Sequence, residues 1–195
     1  MRKKIMICGA SGTGKTTLAK QISAVYDIPF VDTSAKNLWP KYGFLSHQDA
    51  IEASILDKHI GIKYQEDIFR TRVDTLSKLD AYVTDRSYID NLAYIMSTIG
   101  SHLQYGDIRK FIRLSNQAFT SIDLLVFIRF TEDINLERDF KRITNKYYQI
   151  MIDNFMDQII HHKIYGVHVK EKTKEIKGWD FGYRLKKVDR WLKFL

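Results

Sequence analysis

The stretch "MICGASGTGKTTLAK", residues 6–20, restricts the possible folds of this chain more than any other part of the sequence. A short apolar run leads into a glycine-rich loop, and a segment with helical spacing follows. Gly9 to Thr16 match the pattern G-x-x-x-x-G-K-[ST] in full, in the strand–loop–helix context that the pattern requires. Glycine lets backbone N–H groups converge on phosphate oxygens, and the helix dipole adds positive potential there. The stretch therefore predicts a loop that binds nucleotide phosphates.

The chemistry of phosphate binding assigns roles within this loop. Lys15 is expected to reach the β- and γ-phosphates of ATP, and the Thr16 hydroxyl is expected to ligate Mg²⁺. The predicted nucleotide-binding residues are Gly9, Ser11, Gly12, Thr13, Gly14, Lys15, Thr16 and Thr17.

A second motif lies in "AYVTDRSYIDNLAY", residues 81–94. Its apolar start predicts a strand that delivers Asp85 to the carboxyl edge of a sheet, where the carboxylate can hold Mg²⁺. The alternative is that Asp85 caps the following helix. Its position after the phosphate loop favours the metal role, so Thr16 and Asp85 are the predicted metal ligands. Arg86 follows, where a hydrolysing ATPase often has a glutamate that polarises water, and an arginine there can bind phosphate.

Strands alternate with helices along the chain, which predicts a three-layer αβα fold with a five-stranded parallel sheet. The predicted strands are "KKIMICGA", "IPFVDTS", "LDAYVTD", "SIDLLVFIRF" and "YGVHV". Residues 46–79 fit one or two helices with a break near Gly61, and residues 182–195 fit a terminal amphipathic helix. We expect one domain over residues 1–195.

Charge and cysteine content limit the compartment and the partners. The net charge is +8, and residues 161–195, the basic C-terminal segment, carry ten Lys/Arg against four Asp/Glu. This surplus fits either an anionic partner such as nucleic acid or a solvated charged face. The single cysteine, Cys8, cannot form an internal disulfide, and no stretch is long enough to cross a bilayer. We therefore expect a soluble, cytoplasmic protein without a membrane partner.

Asp85–Arg86–Ser87 followed by Asp90 and Ala93–Tyr94 resembles the D-R-x-x-x-D-x-x-A-Y signature of P-loop kinases of the nicotinamide riboside kinase group. It is also similar to the Asp/Glu-Arg motif of thymidylate and deoxynucleoside kinases. The resemblance covers roughly the first 145 residues through ordered motifs. It implies that Asp85 lies near the metal or the acceptor hydroxyl, and that Arg86 contacts phosphate. Asp90 and Tyr94 could equally be structural, as a first-turn helix acid and a packed ring.

The same resemblance suggests a role for the segment after the second predicted strand, "FVDTSAKNLW", residues 30–39. In such kinases an acid near this point contacts the acceptor and can act as general base. Asp32 could take the acceptor proton and Lys36 could hold an acceptor anion, although the family pattern would place an acid at Thr33. The alternative is that Asp32 caps a short helix that begins near Ser34.

P-loop kinases also carry a lid after the fourth predicted strand, and the resemblance places it at about residues 131–146. Arg138 and Arg142 are four residues apart on one helix face, so they are the candidates that would close over the transferring phosphate. They could equally form a solvated ion-pair network with Asp139. The predicted catalytic residues are Lys15, Asp32, Asp85, Arg86, Arg138 and Arg142.

These motifs favour a kinase that uses Mg·ATP to phosphorylate a nucleoside- or nucleotide-type acceptor. One alternative is a kinase for hydroxymethylated pyrimidines in DNA, as in some virus-encoded enzymes that act in the host cytoplasm, since phosphate contacts would use the basic C-terminal segment. Another is an ATPase or GTPase switch. The sequence has no N-K-x-D guanine motif, because Asn145–Lys146 is followed by two tyrosines.

Overall fold

A computed structural model describes residues 2–131, 145–162 and 165–195 of the chain. The strands are β1 (Lys4–Cys8), β2 (Tyr82–Thr84), β3 (Leu124–Ile128) and β4 (Thr173–Ile176). The helices are α1 (Lys15–Tyr26), α2 (Trp39–Tyr42), α3 (His47–Leu56), α4 (Lys58–Leu76), α5 (Tyr88–Thr98), α6 (Tyr105–Phe119), α7 (Lys146–His161) and α8 (Phe181–Leu192). Short 3₁₀ turns span Ala35–Leu38, Gly100–His102 and Lys170–Lys172.

The strands form one parallel sheet in the order β2-β1-β3-β4. Side chains on β1 and β3 alternate between its two faces, as the strand period of two requires. Ile5 and Ile7 pack with α1 and α8 on one face, and Met6 and Cys8 pack with α5 and α7 on the other. The predicted three-layer αβα fold is confirmed. None of the described helices is both long and apolar enough to span a membrane.

The sheet has four strands in the described part of the chain, so the predicted five is wrong. The segment "IPFVDTS" makes a single parallel bridge, between Phe30 and Val83. The Val83 amide donates to the Pro29 carbonyl at 2.9 Å, and the Val31 amide donates to the Val83 carbonyl at 2.9 Å. On the N-terminal side of this bridge the ladder cannot extend, because Pro29 has no N–H. The segment nevertheless runs beside β2 and delivers Asp32 to the carboxyl edge.

The prediction of a strand at "YGVHV" is also wrong. Asn116 on α6 takes the backbone groups that a strand would offer to a neighbour: its Nδ2 donates to the Gly166 carbonyl, and its Oδ1 accepts from the His168 amide, both at 2.8 Å. Val167 and Val169 are buried in the core without joining the sheet. The edge strand is β4, whose sequence "TKEI" is too polar to resemble a buried strand.

The predicted break near Gly61 lies four residues earlier, at Asp57. The Asp57 carboxylate accepts from the His59 amide at 2.8 Å and so begins α4. Gly61 is inside α4, where an added Cβ would lie 2.9 Å from Ser54 Cβ. The glycine therefore allows α3 and α4 to approach closely rather than interrupting them.

Candidate functional site

The phosphate loop lies between β1 and α1 at the carboxyl edge of the sheet. Gly9, Gly12 and Gly14 have φ angles of 149°, 81° and 81°, which side chains with a Cβ rarely adopt. A Cβ on Gly9 would lie 2.4 Å from the Ile128 carbonyl oxygen, so the loop can rest on the end of β3 only with glycine there. The sequence motif and the backbone geometry therefore agree at each of these positions.

Lys15 is buried and turns back over its own loop. Its Nζ donates to the carbonyls of Gly9 at 2.8 Å and Ala10 at 2.6 Å. Burial, with the nearby positive charge of Arg86, lowers the pKa of Lys15 to about 7, while Asp90 and Asp85 oppose the shift. The loop thus holds a cation that an anionic ligand would stabilise.

Asp85 follows β2 and meets α1 at the start of that helix. The Thr16 hydroxyl donates to Asp85 Oδ2. Asp85 Oδ1 is buried, and within the described residues it has no hydrogen-bond partner. Buried carboxylate oxygens are normally paired or bound to a cation, and oxygen ligands suit Mg²⁺. The residues present therefore fit the predicted magnesium ion, with Thr16 and Asp85 side by side.

Arg86 follows Asp85 in the chain, and Asp32 lies near enough to interact electrostatically with Arg86. Burial lowers the pKa of Arg86, but the carboxylates of Asp90, Asp85 and Asp32, with Tyr94, outweigh it and raise that pKa above its ordinary value. Asp32 is exposed, and its Oδ1 accepts from the Ser34 amide at 2.8 Å. The alternative, that Asp32 caps a short helix, is wrong in this form: the 3₁₀ turn begins at Ala35 after Ser34 and has no side-chain cap, and Asp32 instead closes a local turn with the Ser34 amide.

A wall of buried polar side chains lies beside these residues, and sequence reasoning missed it. Arg72 on α4 is 2% exposed, and its guanidinium donates to Thr33 Oγ1 and the Thr33 carbonyl, each at 3.2 Å, to the Ser87 carbonyl, and to Asn91 Oδ1. Asn91 in turn donates to Gln65 Oε1 at 3.2 Å. Burial lowers the pKa of Arg72 to about 10. No local motif marks these residues, because the contacts join three separate segments.

A capping box and a contact between two rings lie next to this polar wall. Asp90 accepts from the amide and the hydroxyl of Ser87, both at 2.8 Å, in a capping box that begins α5. The His47 ring meets the Tyr94 ring edge-on at 5.3 Å. Asp90 thus has the structural role that the sequence left open. Trp39 and Tyr42 on α2, with Phe44 just beyond that helix, pack around Tyr64 of α4 in a small core.

The phosphate loop is supported from two distant helices. Gln149 on α7 accepts from the Ser11 amide at 2.9 Å, so this loop N–H already has a partner. Arg184 on α8 donates from Nη1 to the Thr13 carbonyl at 2.6 Å. Thr17, also predicted to bind the nucleotide, lies exposed in the first turn of α1. Neither Gln149 nor Arg184 carries a sequence signal, since the Arg184 contact spans 171 positions.

The predicted lid residues Arg138 and Arg142 lie outside the described residues, as does nearly all of residues 131–146. The basic C-terminal segment is described in large part, and some of its charge is used internally. Lys172 Nζ donates to the carbonyls of Phe119, Thr120 and Ile122 at 2.8–2.9 Å. Together with Arg184, this removes two cations from the surface that could contact a polyanion.

Two cavities lie at opposite edges of the sheet. One of about 540 Å³ lies at the amino edge of the sheet, lined by Ile122, Lys174 and Trp191 among others. A small one of about 40 Å³ lies beside Asp32, Thr33 and Arg72. The larger cavity is at the opposite edge from the phosphate loop and so takes no part in this site.

Asp157, His161 and Glu175 place metal-ligating atoms within 4.8 Å of one another. The Arg129 guanidinium lies 2.7 Å from Asp157 Oδ1 and 3.6 Å from Glu175 Oε2. An arginine therefore already provides the positive charge at this cluster, which we describe as an ion-pair network.

The AAA_28 family model, described as an AAA domain, matches residues 4–153. The chain belongs to this AAA domain family. The matched region contains the phosphate loop, Asp85–Arg86 and β3, and it ends inside α7. No curated protein matches the chain.

Solved structures with the same fold include nucleoside and nucleotide kinases. Deoxyadenosine kinase from M. mycoides with bound dCTP has a TM-score of 0.66 and 14% identity, with 98% of this chain and 100% of that chain covered. Thymidylate kinase from Candida albicans has a TM-score of 0.58 and 14% identity, covering 99% and 92%. NadR protein in complex with NAD and AMP-PNP has a TM-score of 0.57 and 15% identity, covering 96% and 49%. The fold that the sequence resemblance implied is confirmed by these structures.

Proposed function

We propose that this protein is a P-loop kinase that transfers the γ-phosphoryl group of Mg·ATP to a hydroxyl of a nucleoside-type acceptor. One observation carries the proposal: Asp85–Arg86 joins the phosphate loop on one side to a separately built polar wall on the other. A hydrolase needs room only for water, whereas the buried side chains of Gln65, Arg72 and Asn91 hydrogen-bond one another into a fixed wall that would border a second substrate.

The donor half comprises the loop, Lys15, Thr16 and Asp85. Loop N–H groups and the start of α1 bind the phosphates, and Lys15 leaves its loop carbonyls to contact them. Thr16 and Asp85 would hold Mg²⁺, which, when bound, neutralises charge on the phosphate oxygens. The Thr16–Asp85 contact supports this assignment, because it already brings the two oxygen ligands together.

In the acceptor half, Asp32 and Arg86 have complementary roles. The oxygen of the acceptor hydroxyl bonds to the γ-phosphorus while Asp32 takes the proton of that hydroxyl. The bond between the γ-phosphorus and the departing ADP breaks in the same step. Arg86 binds phosphoryl oxygens and balances their charge. Its electrostatic interaction with both Asp85 and Asp32 supports a position between the two substrates.

A small cavity lined by Asp32, Thr33 and Arg72 lies at this wall and supports an acceptor pocket there. The names of the similar structures, a deoxyadenosine kinase and a thymidylate kinase, support a nucleoside-type acceptor for it. The internal use of Arg184 and Lys172 gives no support to a DNA acceptor.

The proposal is tested by incubating purified protein with γ-labelled ATP and nucleosides, nucleotides, nicotinamide riboside or DNA with hydroxymethylated pyrimidines. We expect label on a nucleoside-type acceptor, and none with the Lys15→Ala variant. Label that appears only as free phosphate with every acceptor would overturn the kinase proposal. Label only on DNA would favour the DNA alternative.

A further inference from the structure

Arg184 on α8 is a fully buried cation that touches the phosphate loop from outside the family-matched region. It is 0% exposed and makes three hydrogen bonds, each to a backbone carbonyl. Nη1 donates to Thr13 at 2.6 Å, while Nε and Nη2 donate to Gly178 at 2.8 and 2.6 Å. The guanidinium therefore connects the loop to the turn that precedes α8.

The charge of Arg184 has no carboxylate partner among the described residues. The groups around its guanidinium are neutral: the rings of Trp179 and Phe181 have their centroids 5.3 and 5.4 Å away. Burial lowers the pKa of Arg184. A buried charge surrounded by neutral groups is costly unless an opposite charge approaches, and carbonyls and rings offset only part of that cost. A polyphosphate bound at the loop would bring the opposite charge.

The contact is also close enough to shape the loop. A Cβ added to Gly14 would lie 3.0 Å from Arg184 Nη1 and 3.0 Å from the Phe181 ring. Gly14 is the residue immediately before α1, and its φ angle is 81°. The Arg184 side chain thus packs against the point where the loop turns into the helix.

We infer that Arg184 is a positioning residue of the nucleotide site. By holding the Thr13 carbonyl, it fixes the orientation of the adjacent loop N–H groups that bind phosphate. It also places a permanent positive charge beside the loop, in addition to Lys15. This inference rests on the nucleotide-binding half of the proposed function and does not depend on the acceptor.

The experiment measures the Kd of Mg·ATP for the full chain, without acceptor, and separately the KM for ATP and kcat. Arg184→Met removes the charge and the hydrogen bonds, and Arg184→Lys keeps a charge on a flexible stem. Arg190→Met, an exposed arginine on the same helix, is the matched control. We expect Arg184→Met to raise Kd and KM about tenfold or more, the effect of losing a charged hydrogen bond.

The conservative variant keeps the inference falsifiable if Arg184→Met does not fold. An ammonium group cannot hold the Thr13 and Gly178 carbonyls in the planar fork of a guanidinium, so Arg184→Lys should still raise Kd by about threefold or more. The control should stay within about twofold of the unmodified protein. The expected KM effect exceeds the kcat effect, because the loop is misplaced rather than the reacting groups.

Two results would overturn the inference: a folded Arg184→Met protein with unchanged Kd, or Arg184→Lys with unchanged Kd when Arg184→Met is unfolded. Circular dichroism and the thermal transition without nucleotide identify the folded variants. If no acceptor is ever phosphorylated but Arg184→Met weakens ATP binding, the kinase proposal fails and the role of Arg184 stands.

Discussion

The two halves of the site each contain a buried arginine, and these arginines have different surroundings. Within residues 2–131, 145–162 and 165–195, Arg184 on the proposed donor side donates hydrogen bonds only to backbone carbonyls. Arg72, on the acceptor side, bonds to a hydroxyl and a side-chain amide as well as to carbonyls, with Asp90 and Asp85 close enough to influence its pKa. The contacts of Arg184 on the proposed donor side are thus to main chain, which fits a constant ligand such as phosphate. The contacts of Arg72 on the proposed acceptor side include side chains, which a different sequence could alter to suit another substrate.

The largest expected effect is at Asp85, where the two halves meet. Asp85→Asn removes the charge that we propose pairs with Mg²⁺, so we expect phosphotransfer to fall by about 100-fold or more. Initial rates over a Mg²⁺ titration would measure the loss, and Asp74→Asn, an exposed acid on α4, is the control. A near-normal rate for a folded Asp85→Asn protein would show that phosphotransfer does not need the Asp85 carboxylate.

Two substitutions of Asp32 distinguish a role in proton transfer from a role in the local turn. Asp32→Asn keeps an oxygen that can accept from the Ser34 amide but cannot take a proton, whereas Asp32→Ala loses both functions. If Asp32 is the general base, both variants should lower kcat by about 100-fold. Full activity in Asp32→Asn with lower stability in Asp32→Ala would show that the turn is its only role.

Arg72→Met tests whether the two halves are independent. It leaves the Thr33 and Ser87 carbonyls and Asn91 Oδ1 without their donor, so we expect unfolding free energy to fall by about 2–4 kcal/mol. The KM for the acceptor should rise about tenfold while the Kd of Mg·ATP stays unchanged. Arg70→Met, exposed on the same helix, controls for charge. An equal loss of ATP affinity would contradict the separation of the halves.

The smallest expected effect concerns pH and His47. Burial, with the nearby charge of Arg86, lowers the pKa of His47 to about 4. Between that value and the ordinary value near 6.5, the unfolded chain binds a proton that the folded chain does not, so stability falls as pH falls through this window. Urea unfolding should show a slope of at most about 1.4 kcal/mol per pH unit from this group. His47→Gln should reduce the slope, and His59→Gln, an exposed histidine, should not.

The sequence was sufficient for features that a contiguous motif determines. The phosphate loop needs glycines at fixed spacing, β3 is apolar throughout and β1 is apolar after Lys4, so the loop, these two strands and the position of Asp85 directly after β2 were located correctly. The three-layer fold followed from their alternation with helices.

Features that depend on contacts between distant segments could not be predicted in this way. The polar edge strand β4 has a weak sequence pattern, and Asn116 prevents a strand at residues 165–169. Arg72 and Arg184 look like ordinary surface arginines in the sequence, because only folding brings carbonyls from other segments around them. For the same reason, the charges of Lys172 and Arg184 in the basic C-terminal segment were expected at the surface, whereas both side chains bind backbone carbonyls of the protein itself.

The contact between Arg184 and Thr13 also bears on where the chain can be cut. A fragment that ends at residue 153, the limit of the family match, would retain the whole phosphate-binding motif and lose the helix that supports it. It would also expose the face of β1 and β3 that α8 covers with Val188 and Leu192. A unit that keeps this support of the loop is therefore larger than the region that the family model matches, and it extends into α8.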